Sequence, residues 1–460
     1  MAAAAVVVAP IDSLWAERAR RAGALVLPPA PPSAIVALLA EADERDEDRS
    51  ALGELAAERA DAFVIAVRRA LAPVTGEARL PPELSGAISA APQRRVLLMS
   101  SNGSGMGHLT RLTAMARRAD PRTDVHVLSL SSAVTAGAAH LPHVYVPSAR
   151  DMGISPRRWD RVLERRLAKE VERLRPDVLV FDGTHPYPAL VELARRRDAP
   201  RLVWSRRPMW RPGHGAEDLL LSRRFDLVIE PGELAATHDR GLTRGRGDAL
   251  VVRPVLLLDP DEALPRPEAR RELGVEGEGP TALVMLGAGR WYDAVTHQRE
   301  VVDVLSQAVR DVQVLVARPR IAEGEPDLGA ARAVSVQPLA RVMAGIDLVV
   351  TAAGYNTFHE TVAAGRPGAY AGVPAQRDDQ PQRAGWAHDA GVGLDLGVGT
   401  PQAASRLREA ARLLADEAAR EAVEARCRDV WPGNGAADAM RAVEALADGA
   451  DGGELVAATR

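Results

Sequence analysis

The sequence predicts an α/β protein with two doubly wound parallel sheets in tandem. Three observations carry that expectation. Short apolar segments without polar–apolar alternation recur through residues 94–254, separated by helical patterns, as in strands covered on both faces. The same alternation restarts near residue 281, after a stretch rich in Pro and acids. At two places a strand runs straight into a glycine turn and a helix start, where open parallel sheets bind their ligands.

A chain of 460 residues has room for about three units of roughly 150 residues. Its 47% apolar and 26% charged residues give an ordinary globular balance. The net charge of −4 excludes bulk polyanion binding, so nucleic acid is not an expected partner. One cysteine, Cys427, excludes an intramolecular disulfide and a cysteine-built zinc site, and it suits a reducing compartment. Lys169 is the only lysine, which excludes a P-loop Gly-Lys-Ser/Thr. No apolar run approaches the roughly 18–20 residues of a membrane helix. The expected setting is cytoplasmic, with at most a peripheral contact at the inner face of a membrane.

Residues 1–93 carry no visible chemistry. The run Ala5–Ala9 reads as a strand or frayed start rather than a signal peptide. Helical patterns near Ser33–Glu44 and Ser50–Ala70 make this an accessory, mostly helical segment. Strands are expected at Arg95–Ser101, Val125–Leu130, Val178–Phe181, Arg201–Trp204 and Asp226–Ile229. Helices are expected at Leu109–Arg118 and Arg158–Leu174. A linker at 255–267 separates this first domain (94–254) from a second (268–447). The second has strands at Thr281–Leu286, Val312–Val316, Ala333–Val336, Leu348–Thr351 and Ala369–Ala371, and closes with helices from about Pro401. Residues 448–460 read as a flexible tail.

The sharpest segment is Thr351–Gln382. A strand ends at Thr351, a turn passes through Gly354, and a helix is expected from about Thr357. Unpaired N–H groups and the positive end of the helix dipole at that turn suit a diphosphate. Glu360, one turn on, offers a carboxylate to two vicinal ribose hydroxyls, although Thr357-x-x-Glu360 also spells a plain capping box. This stretch resembles the donor-binding signature of GT-B fold glycosyltransferases. It is similar to both the peptidoglycan lipid-intermediate N-acetylglucosaminyltransferase and the UDP-dependent glycosyltransferases. The resemblance implies that Gly354, Tyr355, Asn356 and Thr357 grip the diphosphate and that Glu360 binds the ribose. Gly365–Pro367 matches the family's Gly-x-Pro, and Asp379 and Gln380 would read the sugar hydroxyls. Ala352 departs from the family, where a phosphate-binding His is usual. Val336 and Leu339 resemble its base-binding loop. Gly287, Gly289 and Arg290 stand where it has a glycine-rich turn, and Arg290 would supply the charge that Ala352 lacks. An ordinary βα turn is the other reading of those glycines.

The first domain opens with a strand and Asn102-Gly103-Ser104-Gly105-Met106-Gly107-His108. As a dinucleotide fingerprint it fails: the third Gly comes one residue early, and Ser129, Ser131 and Ser132 stand where an acid should close the next strand. As the glycine loop of a GT-B acceptor domain it fits, with Gly105 and Gly107 at the acceptor. The resemblance makes His108 the general base and Asp182 the carboxylate that orients it. An imidazole titrates where a sugar hydroxyl needs a base. His185 is the rival base. Arg206, Arg207, Trp210 and Arg211 suit a phosphorylated or sugar-bearing acceptor, or else a solvated Arg-rich surface. Asp259-Pro260-Asp261 spells a metal-binding D-x-D, but it falls in the linker rather than after a strand.

The expected architecture is therefore GT-B: two Rossmann-like domains facing across a cleft. The expected activity is inverting, metal-independent transfer of a sugar from a nucleotide-diphospho-sugar, with UDP as the leading carrier, to a hydroxyl of a phosphorylated or lipid-linked acceptor, without a cofactor. A nucleotide-sugar 2-epimerase and a non-catalytic nucleotide-sugar-binding partner subunit stand as alternatives.

Overall fold

The computed structural model describes residues 6–8, 25–27 and 93–458, except 102–105, 132–140, 287–293, 319–327, 374 and 376. The chain divides into two units, Met1–Ala91 and Pro92–Arg460. In the first, β1 (Val6–Val8) pairs in parallel with β2 (Leu25–Leu27). The helices expected there lie outside the described residues.

The second unit holds both sheets. The first sheet is assembled from β3 (Arg94–Ser100), α1 (Gly107–Ala116), β4 (Thr123–Ser129), β5 (His143–Tyr145), α2 (Pro156–Leu174), β6 (Val178–Asp182) and α3 (Pro188–Leu193). It continues through β7 (Arg201–Ser205), α4 (Ala216–Leu219), β8 (Leu227–Pro231) and β9 (Leu250–Val252). Its order is β5-β4-β3-β6-β7-β8-β9, and every pairing is parallel. Successive residues of β3 serve opposite faces: Val96 and Leu98 join one core, Leu97 and Met99 the other. That two-sided burial is why the strands read as unbroken apolar runs.

The linker carries α5 (Arg266–Glu272) into the second sheet. It comprises β10 (Thr281–Met285), α6 (Ala294–Ala308), β11 (Gln313–Ala317), β12 (Arg332–Val334), β13 (Leu348–Thr351), α7 (Tyr355–Ala363) and β14 (Gly368–Tyr370). Then follow α8 (Gln380–Asp389), β15 (Gly393–Asp395), α9 (Ala403–Ala415) and α10 (Glu417–Val430). The order β12-β11-β10-β13-β14-β15 is all parallel and reverses direction at β10, as β3 does in the first sheet. Each sheet therefore has one crevice at its strand C-termini, between β3 and β6 and between β10 and β13.

The chain then returns. Helix α11 (Ala436–Ala447) packs on the first sheet beside α1, with Ala436, Ala439, Met440, Val443 and Leu446 in its core. Side chains such as Met440 and Val443 contribute about 1.5–3 kcal/mol each when fully buried. The second domain's own helices therefore end before residue 436, short of the 447 bound, and the final helix crosses back to the first sheet. The periodicity gave this helix an apolar face but could not say which sheet would cover it. Residues 448–460 are also corrected. They include α12 (Gly452–Ala457), capped by Asp451 through the N–H groups of Gly453 and Glu454. Gly452 passes so close to β8 that a Cβ there would meet the Asp226 carbonyl oxygen at 1.9 Å.

Outgoing and returning chains are stitched by Asn434. Its Oδ1 accepts from Leu256 N at 3.0 Å, and its Nδ2 donates to Leu256 O at 2.9 Å. Asp259, from the linker D-x-D, caps the 3-10 turn Pro260–Glu262 and pairs with Arg118 at 2.8 Å. Among the described residues, no group of three or more His, Cys, Asp or Glu could hold a metal ion.

Candidate active site

His108 is the second residue of α1, the helix that follows β3. Asp182 is the last residue of β6, the neighbouring strand across the crevice. Their Nδ1 and Oδ1 lie 2.6 Å apart. The Nδ1–H donates to Asp182, which leaves the Nε2 lone pair without a partner among the described residues. Asp182 is fully buried, and its second oxygen accepts from Ser205 Oγ at 2.7 Å.

Arg111, which sequence reasoning missed, completes this group. One turn along α1 from His108 and 2% exposed, it donates through Nε to Asp182 Oδ2 at 3.0 Å and through Nη2 to Oδ1 at 2.5 Å. Its spacing of three from His108 was the available signal, since i and i+3 share a helix face. Burial alone would raise the Asp182 carboxyl, but Arg111 and His108 hold it well below the usual carboxylate range. Burial lowers the His108 imidazole. Asp182 opposes that shift, while Arg111 and Arg207 add to it. The imidazole is thus biased toward its neutral form.

The second crevice holds the Gly354 turn. Ala353 takes the left-handed conformation (φ 63°), and Gly354 caps α7, which starts at Tyr355 rather than Thr357. Thr357 and Glu360 therefore both lie inside the helix, and the capping-box reading falls. Gly354 itself is in an ordinary conformation. The nearest atom to a Cβ there would be Gln380 Nε2 at 3.8 Å, so the glycine keeps the helix end open rather than relieving a clash. Burial pushes the carboxyl of the partly exposed Glu360 up to about 7. Asp379 and Gln380 start α8 beside this turn. Burial raises the Asp379 carboxyl, and Gln380 Nε2 donates to Asp378 Oδ2 at 3.2 Å.

Two residues of the turn are used differently from the expectation. Tyr355 is buried: its hydroxyl donates to Gly232 O at 2.8 Å and accepts from Val255 N at 3.2 Å, so it tethers the two domains. Asn356 faces the first domain, accepting from Arg111 Nη1 at 2.9 Å and donating to Gly107 O at 3.3 Å. Val336 and Leu339 are half-buried against the core under β10 and β13, and Gln337 between them reaches Met106 Sδ at 3.3 Å. Gly105, Gly287, Gly289 and Arg290 lie outside the described residues.

The proposed acceptor cluster is mostly corrected. Arg206 is wholly buried, clamped by Glu230 at 2.7 Å, Asp248 at 2.6 Å and Ser222 at 2.7 Å. A cation so saturated builds the fold and cannot greet a ligand. Trp210 is 1% exposed and packs near Trp204. Arg207 and Arg211 turn to the second domain: Arg207 pairs with Asp378 at 2.9 Å, and Arg211 N donates to Arg377 O at 2.8 Å. The rival base His185 is half exposed and paired with Asp218, which also takes Arg377. Arg383, unforeseen from sequence, is fully buried between Glu233 at 2.8 Å and Asp378 at 2.7 Å.

The His108–Asp182 pair of the first crevice and the Gly354 turn of the second thus face one another, joined by the Arg111–Asn356 bond. No family model matches the chain. A UDP-N-acetylglucosamine–N-acetylmuramyl-(pentapeptide) pyrophosphoryl-undecaprenol N-acetylglucosamine transferase from Nocardioides sp. is 29% identical over 324 residues, which is 65% of this chain and 84% of that protein. The solved structure of the spinosyn rhamnosyltransferase SpnG complexed with thymidine diphosphate is similar with a TM-score of 0.53 at 16% identity, over 76% of this chain and 100% of that one. Acinetobacter baumannii MurG is similar with a TM-score of 0.51 at 14% identity, over 76% and 99%. The chain has the GT-B fold, and its sequence is similar to that of a peptidoglycan N-acetylglucosaminyltransferase.

Proposed function

We propose that the chain transfers a sugar, with inversion and without a metal, from a nucleotide-diphospho-sugar to an acceptor hydroxyl, with UDP as the carrier. The observation that carries this reading is the His108–Asp182 pair placed opposite the Gly354–Thr357 helix start. The acceptor hydroxyl gives its proton to His108 Nε2 as its oxygen forms a bond to the anomeric carbon. The bond from that carbon to the diphosphate oxygen breaks, and the leaving group keeps the electron pair. Asp182 holds the imidazole in the tautomer with Nε2 free and stabilises the imidazolium. The helix start and Arg290 neutralise the growing charge on the diphosphate. Glu360 takes the ribose hydroxyls, and Asp379 and Gln380 the sugar.

For the acceptor, the Nocardioides relative, named for a pyrophosphoryl-undecaprenol substrate, supports a lipid-linked or phosphorylated molecule. Among the described residues, no helix is long and apolar enough to cross a membrane, so any membrane contact they make would be peripheral.

A thermal-shift panel of UDP, GDP, CDP, dTDP and NAD, with a chelator present, tests the donor site. A ligand of the native state alone adds about 2.7 kcal/mol at a hundredfold excess over Kd. UDP should raise the melting temperature most; no shift with any diphosphate, or a shift with NAD alone, contradicts the reading. The panel also has a pH dependence. Ribose hydroxyls donate to an ionised Glu360, whose carboxyl sits at about 7 in the free protein. UDP affinity should therefore fall by up to about tenfold per pH unit below that point. Glu360→Gln should flatten the slope, and calorimetric titration at pH 6 and pH 8 reads it.

A further inference from the structure

Arg111 has no counterpart in the residues that suggested the family, yet it bonds both to the His108–Asp182 pair and to the first turn of α7. Its guanidinium works in two directions. One edge holds both oxygens of Asp182, at 3.0 and 2.5 Å, and Nη2 also lies 3.0 Å from His108 Nδ1, so that two donors converge on Oδ1. The other nitrogen, Nη1, donates to Asn356 Oδ1 at 2.9 Å, in the first turn of α7. The guanidinium carbon lies 5.3 Å from the centre of the Tyr355 ring. A guanidinium is a rigid planar fork, so moving one prong moves the others. Asn356 adds a second grip, from Nδ2 to the carbonyl of Gly107, the residue before His108. The helix start expected to hold the donor diphosphate is thus bonded to both sides of the base.

We propose that Arg111 is a positioning residue that ties the His108–Asp182 pair to the donor helix, so that the base is set correctly only while Asn356 holds the far prong of the fork. This inference rests on the glycosyl-transfer reading above. A donor that draws α7 toward the cleft would tighten the bond and align the imidazole; with α7 displaced, a buried N–H of Arg111 loses its acceptor and the fork swings. The base would then be fully set only with α7 in place, which suits an enzyme that must not activate water in place of its acceptor.

The charged groups facing His108 are Asp182 from β6, Arg111 from its own helix and Arg207 from the loop after β7. Removing the Arg111 charge leaves Asp182 wholly to the imidazole. Removing the Asn356 oxygen has the opposite sign, because the guanidinium charge is then less compensated. The test is a double-mutant cycle of Arg111→Gln and Asn356→Ala with two readouts. The first is NMR titration of the His108 ring, assigned with His108→Gln, which needs no substrate. His108 should titrate about one pH unit higher in Arg111→Gln, the scale of a charge at hydrogen-bond distance. It should titrate lower in Asn356→Ala and show no further response to that change once Arg111 is gone. The second readout is kcat with saturating UDP-sugar. Asn356→Ala should reduce it about tenfold in the wild-type background and less than twofold in Arg111→Gln, the non-additivity of residues acting as one unit. If Arg111→Gln does not fold, Arg111→Lys takes its place: it keeps the charge but not the fork, so His108 should titrate near the wild-type point while the response to Asn356→Ala disappears. A His108 titration indifferent to both substitutions, or additive effects in the cycle, overturns the proposal. A wild-type protein that turns over no nucleotide-sugar would defeat the transferase reading, while the titration still decides the tie between Arg111 and His108.

Discussion

Replacing His108 with Gln should lower the turnover number by about 10²- to 10⁴-fold, the span a positioned general base contributes, while nucleoside diphosphate binding stays intact. The imidazole is the group whose Nε2 is open to the cleft and whose Nδ1 is fixed by a buried carboxylate. The groups proposed to hold the donor lie on the other domain, so the loss should fall on kcat rather than on donor affinity. The same geometry sets the pH profile. Burial, Arg111 and Arg207 together outweigh Asp182 and keep the His108 pKa below the ordinary 6.5. A base works when neutral, so kcat should be flat at and above neutrality and fall only in the acid range, below 6.5. The profile of kcat/KM for the donor should break earlier, near 7, because Glu360 must be ionised to bind. The two limbs separate base from donor grip. Steady-state rates between pH 5 and 9, at saturating and at limiting donor, give both.

The second large effect is on stability. Arg383→Met should cost about 3–5 kcal/mol in urea unfolding, because breaking a buried ion pair leaves the other charges uncompensated. Arg383 is fully buried and holds Glu233 of the first domain and Asp378 of the second, at 2.8 and 2.7 Å. Burial alone would raise both carboxyls. Arg383 and His359 bring Glu233 to about 2, and Arg207 and Arg383 bring Asp378 to about 2. Both folded values lie below the unfolded values near 4. The stability these groups contribute is therefore present above pH 4 and lost as pH falls toward 2. The variant should unfold earlier in urea at neutral pH, and its stability should depend less steeply on pH between 4 and 2.

The sheets were legible because parallel strands covered on both faces must be apolar throughout. Leu348–Thr351 and Val178–Phe181 left no alternative partner for their side chains. The strands that escaped notice, His143–Tyr145, Leu250–Val252 and Gly393–Asp395, are three-residue sheet edges, too short to set a pattern. In the site, His108 and Asp182 were named through the family resemblance, which a glycine loop and a strand end, both local features of the chain, were enough to carry. Arg111 and Arg383 escaped notice, because in a chain whose basic residues are almost all Arg nothing local marks the one that becomes buried. The error over Arg206 has the same origin. Its partners Glu230 and Asp248 are 24 and 42 residues away, and only the fold brings them together. Tyr355 was misread for a related reason: the signature fixes its place in the turn, but the chain returning past Val255 decides where its hydroxyl goes.

We propose that this cleft breaks the bond between a sugar and its nucleoside diphosphate with His108 as base. The most direct measurement is mass spectrometry of UDP-N-acetylglucosamine and related nucleotide-sugars incubated with the protein, a chelator and a set of hydroxyl acceptors that includes lipid-linked diphosphates. We expect free nucleoside diphosphate and an acceptor heavier by one sugar with the wild-type protein, and neither with His108→Gln. A sugar epimerised but still attached to its nucleotide, or equal turnover by both proteins, would contradict the account.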